Sequence, residues 1–325
     1  MPLAVFVVAA ALSAASSVLL VSRLERVGER LALAEALLGL VVALAADGPE
    51  ITSALTAVAT GQREIGVGVA LGSNAFNLAA MLGLSVLVAG GLRLPRFATV
   101  LEGTLALVIA IIAVAVVMAW IGPAPGLLLG LAAFLPYVFV CALTPSRRAR
   151  LPLPRPLLTW LRRAIDEEKV TLERAPRATP VDWVVAAGAA LAVIAASVVM
   201  EQSATTIGQQ AGIPAIVIGG LVLAAVTSLP NAVAAVYLTL RGRGVAAMSE
   251  AFHSNAFNVL LALLVPAVIV GLGSPTGGVP LAAFAYLTLT AAAVVLALAG
   301  RGLGRPAGLV LIGGYLGYVA LVVAT

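Results

Sequence analysis

Asp47 and Glu50 flank Gly48-Pro49 in the middle of an apolar run that extends from 31 to 59. A charged side chain near the centre of a membrane-spanning helix costs about 2.5–3.5 kcal/mol on insertion scales, so carboxylates at such a place point to function. Pro49 removes a helical N–H and frees backbone carbonyls that hydrocarbon cannot satisfy. Unwound backbone beside two carboxylates is a set of hard oxygen ligands suited to a cation. The arrangement occurs twice. Pro49 precedes Asn74 and Pro230 precedes Asn255 by the same spacing, and both copies run into Ser-Asn-Ala-Phe-Asn, Ser73 to Asn77 and Ser254 to Asn258. In the second copy Thr227, Ser228 and Asn231 surround the proline and supply neutral oxygens only. Ser73 with Asn77, and Ser254 with Asn258, are four residues apart and share one helix face. Gly66, Gly68, Gly72 and Ala75 in one copy, and Gly244, Ala246, Ala247 and Ala251 in the other, allow close helix approach. Isolated Ser and Asn residues often only join membrane helices; repetition beside proline breaks makes this set a site, with Asn74 and Asn255 the members most open to the joining role.

The elements that position these residues follow from composition. The chain is 62% hydrophobic and 10% charged with mean hydropathy +1.13, far more apolar than a soluble domain. Apolar runs long enough to span a bilayer fall at 3–21, 31–59, 65–89, 98–119, 124–143, 181–200, 212–240, 245–271, 279–299 and 304–324. The first lacks the basic start and cleavage site of a signal peptide and is expected to be retained. The fold expected is all-α and polytopic, with ten transmembrane helices in two five-helix repeats, residues 1–143 and 181–325, joined by a basic cytoplasmic linker, 144–180. Five spans per half make the second repeat inverted, with proline-broken helices at the midplane.

Placing both termini outside puts 18 of the 19 basic residues in inner loops, around Arg23, Arg26 and Arg30, Arg93 and Arg96, Arg147 to Arg177, Arg241 and Arg243, and Arg301 and Arg305; Arg63 alone lies outside. A bacterial or archaeal plasma membrane is the expected location. That distribution accounts for the basic pI, and no nucleic-acid motif accompanies it. The linker segment from Thr159 to Arg174 is expected to form an amphipathic interfacial helix, with Asp166, Glu167 and Glu168 on its solvated face. The single cysteine, Cys141, excludes an internal disulfide and a thiolate metal site. Glu35 and Glu102 near inner span ends, and Glu201 near an outer one, are expected to snorkel to the interface. Glu250, one turn before Ser254, and His253, in place of Gly72, could exchange protons or gate the site, a packing role being the more usual one for a lone histidine.

The two segments resemble the paired alpha repeats of the sodium/calcium exchangers and the wider calcium/cation antiporter superfamily. The matching residues are Ala46-Asp47-Gly48-Pro49-Glu50 with Gly72-Ser73-Asn74-Ala75-Phe76-Asn77, and Thr227-Ser228-Leu229-Pro230-Asn231 with His253-Ser254-Asn255-Ala256-Phe257-Asn258. The resemblance implies a secondary active cation antiporter, not an enzyme, without a cofactor. It implies cation ligands at Glu50, Ser73, Asn77, Thr227, Ser228, Asn231, Ser254 and Asn258, to which Asp47 adds a carboxylate of this chain's own. It also implies alternating access by sliding of spans one and six against the other eight. The partners expected are inorganic cations (sodium, calcium, another cation or protons) and membrane lipids, with no nucleic acid or obligatory protein. Asn231 and Asn258 stand where family members usually carry acids, and calcium affinity falls with the charge of the ligand set. Two alternatives follow: a cation/proton antiporter whose substrate is not calcium, and an ion-binding membrane protein that does not turn over. An intramembrane hydrolase using Asp47 and Glu50 lacks any completing catalytic group in the second copy.

Overall fold

A computed structural model describes residues 2–31, 33–59, 63–166, 179–213, 217–272, 278–300 and 302–324. Among the described residues eight helices are long and apolar enough to cross a membrane: Pro2–Arg30, Gly66–Ala89, Arg96–Val117, Pro123–Ala142, Pro180–Gln210, Gly244–Val270, Val279–Ala299 and Arg305–Ala324. Two bent pairs complete ten spans, Glu35–Ala46 with Gly48–Val58 at 47° and Leu221–Thr227 with Leu229–Leu240 at 48°. Numbered in chain order, the bent pairs are spans 2 and 7. Each bend sits at its proline: Pro49 cannot donate to the carbonyl of Ala45, nor Pro230 to that of Val226. The backbone at the two breaks is nearly the same, with φ −76° and ψ −5° at Asp47 and φ −81° and ψ −4° at Ser228.

The small residues of the repeats bring backbones into contact. A Cβ added at Gly39 would lie 2.4 Å from the carbonyl oxygen of Ala246, so the first half of span 2 lies directly on span 8. A Cβ at Gly66 would meet Val58 at 2.6 Å, so span 3 closes likewise on the second half of span 2. Past the repeated pentapeptide both helices widen into π-helical turns, Leu78–Leu84 and Asn258–Leu264. Such turns are rare and recur at functional sites. Large apolar side chains including Leu128, Val184 and Ile269 are exposed on the outer surface of the bundle.

Spans 1 and 6 run past the ends expected from hydropathy, over 29 and 31 residues, and pack along each other. Arg23, Arg26 and Arg30 therefore lie on the last turns of span 1, not in a loop. Two of them have an acid that a loop would not give them: Arg23 and Arg26 reach Asp182 of span 6 at 2.8 and 3.4 Å. The linker carries helices Pro145–Arg148 and Arg155–Asp166. Arg148 donates to the carbonyls of Val140 and Leu143 at the end of span 5, where helix carbonyls lack intrahelical donors. Ile165 is buried and Arg163 stacks over Phe97, 5.7 Å from the ring centre, so this helix rests on span 4. The expected interfacial helix thus begins earlier, at Arg155, and Glu167 and Glu168 lie outside the described residues.

Candidate functional site

The two proline breaks and the two pentapeptides converge. Asp47, Glu50, Ser73, Asn77, Thr227, Ser228, Asn231, Ser254 and Asn258 are all 0% exposed, so the cluster is closed from water and lipid alike. Asn231, on the first turn after the span 7 break, links both acids: its Nδ2 donates to Asp47 Oδ1 at 2.7 Å and Glu50 Oε1 at 3.1 Å. Ser254 Oγ donates to the same Asp47 oxygen at 2.7 Å, and Asn258 Nδ2 donates to Glu50 Oε2. Asn77 Nδ2 donates to Ser254 Oγ at 3.1 Å. The carboxylates come from the first half of the chain, and the donors Asn231, Ser254 and Asn258 come from the second.

Burying a carboxylate is costly unless donors surround it. The donors recorded for Asp47 and Glu50 are amides and a hydroxyl, with no lysine or arginine among them in the described residues. Each amide that gives its nitrogen leaves its oxygen over. Asn77 Oδ1, Asn231 Oδ1 and Asn258 Oδ1, with Asp47 Oδ2 and Ser228 Oγ, are buried without a hydrogen-bond partner. Ser73 and Thr227 are brought to the cluster but spend their hydroxyls on backbone: Ser73 Oγ donates to the carbonyl of Ala224 at 3.4 Å and Thr227 Oγ1 to that of Leu223 at 2.9 Å.

Behind the acids lies a reciprocal pair. Asn74 Nδ2 donates to the backbone carbonyl of Asn255 at 3.2 Å, and Asn255 Nδ2 to that of Asn74 at 3.1 Å. Their side-chain oxygens accept from Asn258 and Asn77 at 3.0 and 3.2 Å, which orients those two amides. The sequence carried the signal for this support in the shared offset of the two asparagines; their reciprocal geometry was not readable from it.

Three acids expected at the interface are instead held inside. Glu102 is 1% exposed; its Oε1 accepts from Tyr137 and, at 2.9 Å, from Ser249, and Oε2 lies 3.3 Å from His253 Nε2. Glu35 is 5% exposed and lies 3.8 Å from Arg243. Glu201, only part-exposed, accepts from Ser53 Oγ at 2.8 Å, joining span 6 to span 2. Partners contributed by other spans explain the difference, because snorkelling is favoured only where none is offered. His253 is packed edge-on against Phe134. Near the other end of the bundle Arg243, itself 3% exposed, gathers Glu25 and Glu29 of span 1, and Tyr237 donates to Glu25 at 3.1 Å.

The family profile described as Sodium/calcium exchanger protein matches residues 1–144 and 181–324. Solved structures of the sodium-calcium exchanger NCX_Mj share the fold. One soaked with Na+ and Sr2+ aligns with TM-score 0.75 at 18% identity, covering 98% of this chain and 97% of that one. Another, soaked with zero Na+ and Ca2+, aligns with TM-score 0.72 at 18% identity and covers 98% of each chain. No curated protein sequence matches the chain. The fold is nearly all helical, with one short antiparallel strand pair at Gly91–Arg93 and Gly302–Gly304, and has inverted repeats as in those structures; the apolar spans make this an integral membrane protein, and the profile covers both halves of it: the chain belongs to the sodium/calcium exchanger family, whose members are cation antiporters and not enzymes.

Proposed function

We propose that Asp47 and Glu50, with Ser73, Asn77, Thr227, Ser228, Asn231, Ser254 and Asn258, hold the transported cation at the midplane, and that calcium is bound less well than by a site with three or four carboxylates. The observation that carries this is the double donation of Asn231 to both acids. In the arrangement described, the amide N–H groups take the part of a positive charge. A cation entering between the carboxylates displaces them, and a half-turn of each amide brings its spare oxygen to the ion as a ligand. Amides can thus serve the empty and the loaded site alike, which a second pair of acids could not do without a counter-charge.

Two carboxylates neutralise one divalent or two monovalent ions, so the reading extends to sodium, to another cation and to exchange against protons. Ligating carboxylates must be ionised, so protons and metal compete and apparent cation affinity falls as pH falls. Spans 1 and 6 slide against the remaining eight to expose the site alternately. The further assignments belong to the same reading: two five-helix repeats, 1–143 and 181–325, with a cytoplasmic linker; both termini outside; a plasma membrane location with lipid as the surrounding partner; and a single chain as the working unit.

Flux in proteoliposomes, with sodium, potassium, calcium and proton gradients varied one at a time, is the test. Uptake of one cation driven by the gradient of another is expected. Flux that proceeds without any counter-ion, or single-channel currents in a planar bilayer, would show a channel and overturn the antiporter mechanism.

A further inference from the structure

Glu250 lies on span 8 one turn before Ser254, and its counterpart in the first copy is Val69. It is a charge that the repeat does not require. The side chain is 0% exposed and neither carboxylate oxygen has a hydrogen-bond partner; Ser254, one turn on, donates to Asp47 at 2.7 Å, and a Cβ added at Gly39 of span 2 would lie 2.8 Å from the backbone nitrogen of Glu250, so this part of span 8 lies against the span that carries Asp47. Asp47 likewise keeps Oδ2 unpartnered while Oδ1 accepts from Asn231 and Ser254. The other ionisable groups of the packed elements are engaged elsewhere: Glu50 with Asn231 and Asn258, Glu102 with Tyr137 and Ser249, His253 beside Glu102, and Glu35 beside Arg243. Two like-charged groups therefore stand near each other with three carboxylate oxygens unsatisfied, an arrangement that needs a compensating charge. A proton shared between the two carboxyl groups and a metal ion held between them are the two ways to supply that charge, and the experiment below separates them. A metal ion bridges a wider gap, because ligand distances of about 2.3–2.6 Å leave the flanking oxygens up to about 5 Å apart.

We propose that Glu250 and the free oxygen of Asp47 form a second cation position, one helical turn from the central cage on the side of Arg243, which takes an alkali-metal ion. A single positive charge suits it, since Asp47 already shares its charge with the cage and the adjoining residues Ala246, Ala247 and Ala251 offer no further side-chain oxygen. This rests on the cage itself being a cation site.

The test is equilibrium dialysis of the purified full-length protein against radioactive sodium, with proton release followed by a pH indicator. Glu250→Gln and Glu250→Val are each expected to bind one sodium ion fewer per chain than the parent at saturation. Val is the residue found at the matching place in the other copy, so if one variant fails to fold the second still decides. Sodium counts equal to the parent's in a folded Glu250 variant, with a reduced count in Glu50→Gln, would overturn the second position and leave the central site standing. An unchanged sodium count with one proton fewer released would mark Glu250 as a proton site and would also overturn the proposal. Parental counts in Glu50→Gln as well would remove the central site, and this position with it.

Discussion

The two copies of the repeat agree in backbone and disagree in charge. Both break at a proline with nearly the same dihedral angles, both present Ser-Asn-Ala-Phe-Asn and both widen into π-helical turns, yet the first carries Asp47 and Glu50 where the second carries Ser228 and Asn231. Because the copies converge on one cluster, its charge is the sum of their side chains. Geometry has to be matched in each half; charge can be supplied by either.

The strongest way to break that comparison is to take charge from the half that supplies it. Glu50→Gln is expected to lower cation affinity about a hundredfold or more, on the scale of removing one partner from a buried ionic contact, and to nearly abolish transport. Flux within about twofold of the parent would remove Glu50 as principal ligand. Returning charge to the other half sharpens it. Asn231→Glu should strengthen calcium binding about ten- to a hundredfold by calorimetry, as ligand charge count governs such affinities. The same variant should melt at a lower temperature without cation, because three carboxylates would then meet with no N–H between them. Weaker calcium binding by the variant would take Asn231 out of the ion's reach.

A smaller effect is expected where the halves are equivalent. Asn74→Ala and Asn255→Ala should each destabilise the protein by about 1–3 kcal/mol, since each removes a buried side-chain donor to a backbone carbonyl and leaves the amide of Asn258 or Asn77 short of an acceptor, and the double variant should cost less than the sum. Unequal single costs would show that the axis is less symmetric than its hydrogen bonds. The smallest change is expected at the ends of the bundle. Arg243→Gln loosens span 1 from the ion pairs with Glu25 and Glu29, whereas Ser53→Ala removes one hydrogen bond to Glu201. Labelling of cysteines near either end, in a background without Cys141, should show a shift of a few-fold in facing state for the first variant and a lesser one for the second. Equal shifts would deny the ion pairs any special hold.

Much of this was legible in the sequence. Apolar run lengths located the ten spans, and the fixed repeat offset pointed to residues that the structure brings together, because both signals are local and periodic. What escaped lay in contacts between distant spans. Glu102 reads as an interfacial acid until Tyr137, Ser249 and His253 are seen around it, and nothing in their spacing announces that spans 4, 5 and 8 meet there. The extra length of spans 1 and 6 was hidden for a related reason: Arg23 and Arg26 look like loop residues unless Asp182 stands opposite. Ser73 and Thr227 lie at the cluster, yet the choice of their hydroxyls between carboxylate and backbone depended on rotamers that residue type does not fix.

The exchange of amides between Asn74 and Asn255 has a meaning beyond stability. Each residue gives to the other what it receives, which is the contact made at the two-fold axis of a homodimer, where one surface patch must be complementary to itself. A half-length chain inserted in both orientations would already own this contact, the proline breaks and the small-residue seams. Fusing two such halves into one polypeptide releases each from having to be its own partner, and only after that could one become acidic and the other amide-rich.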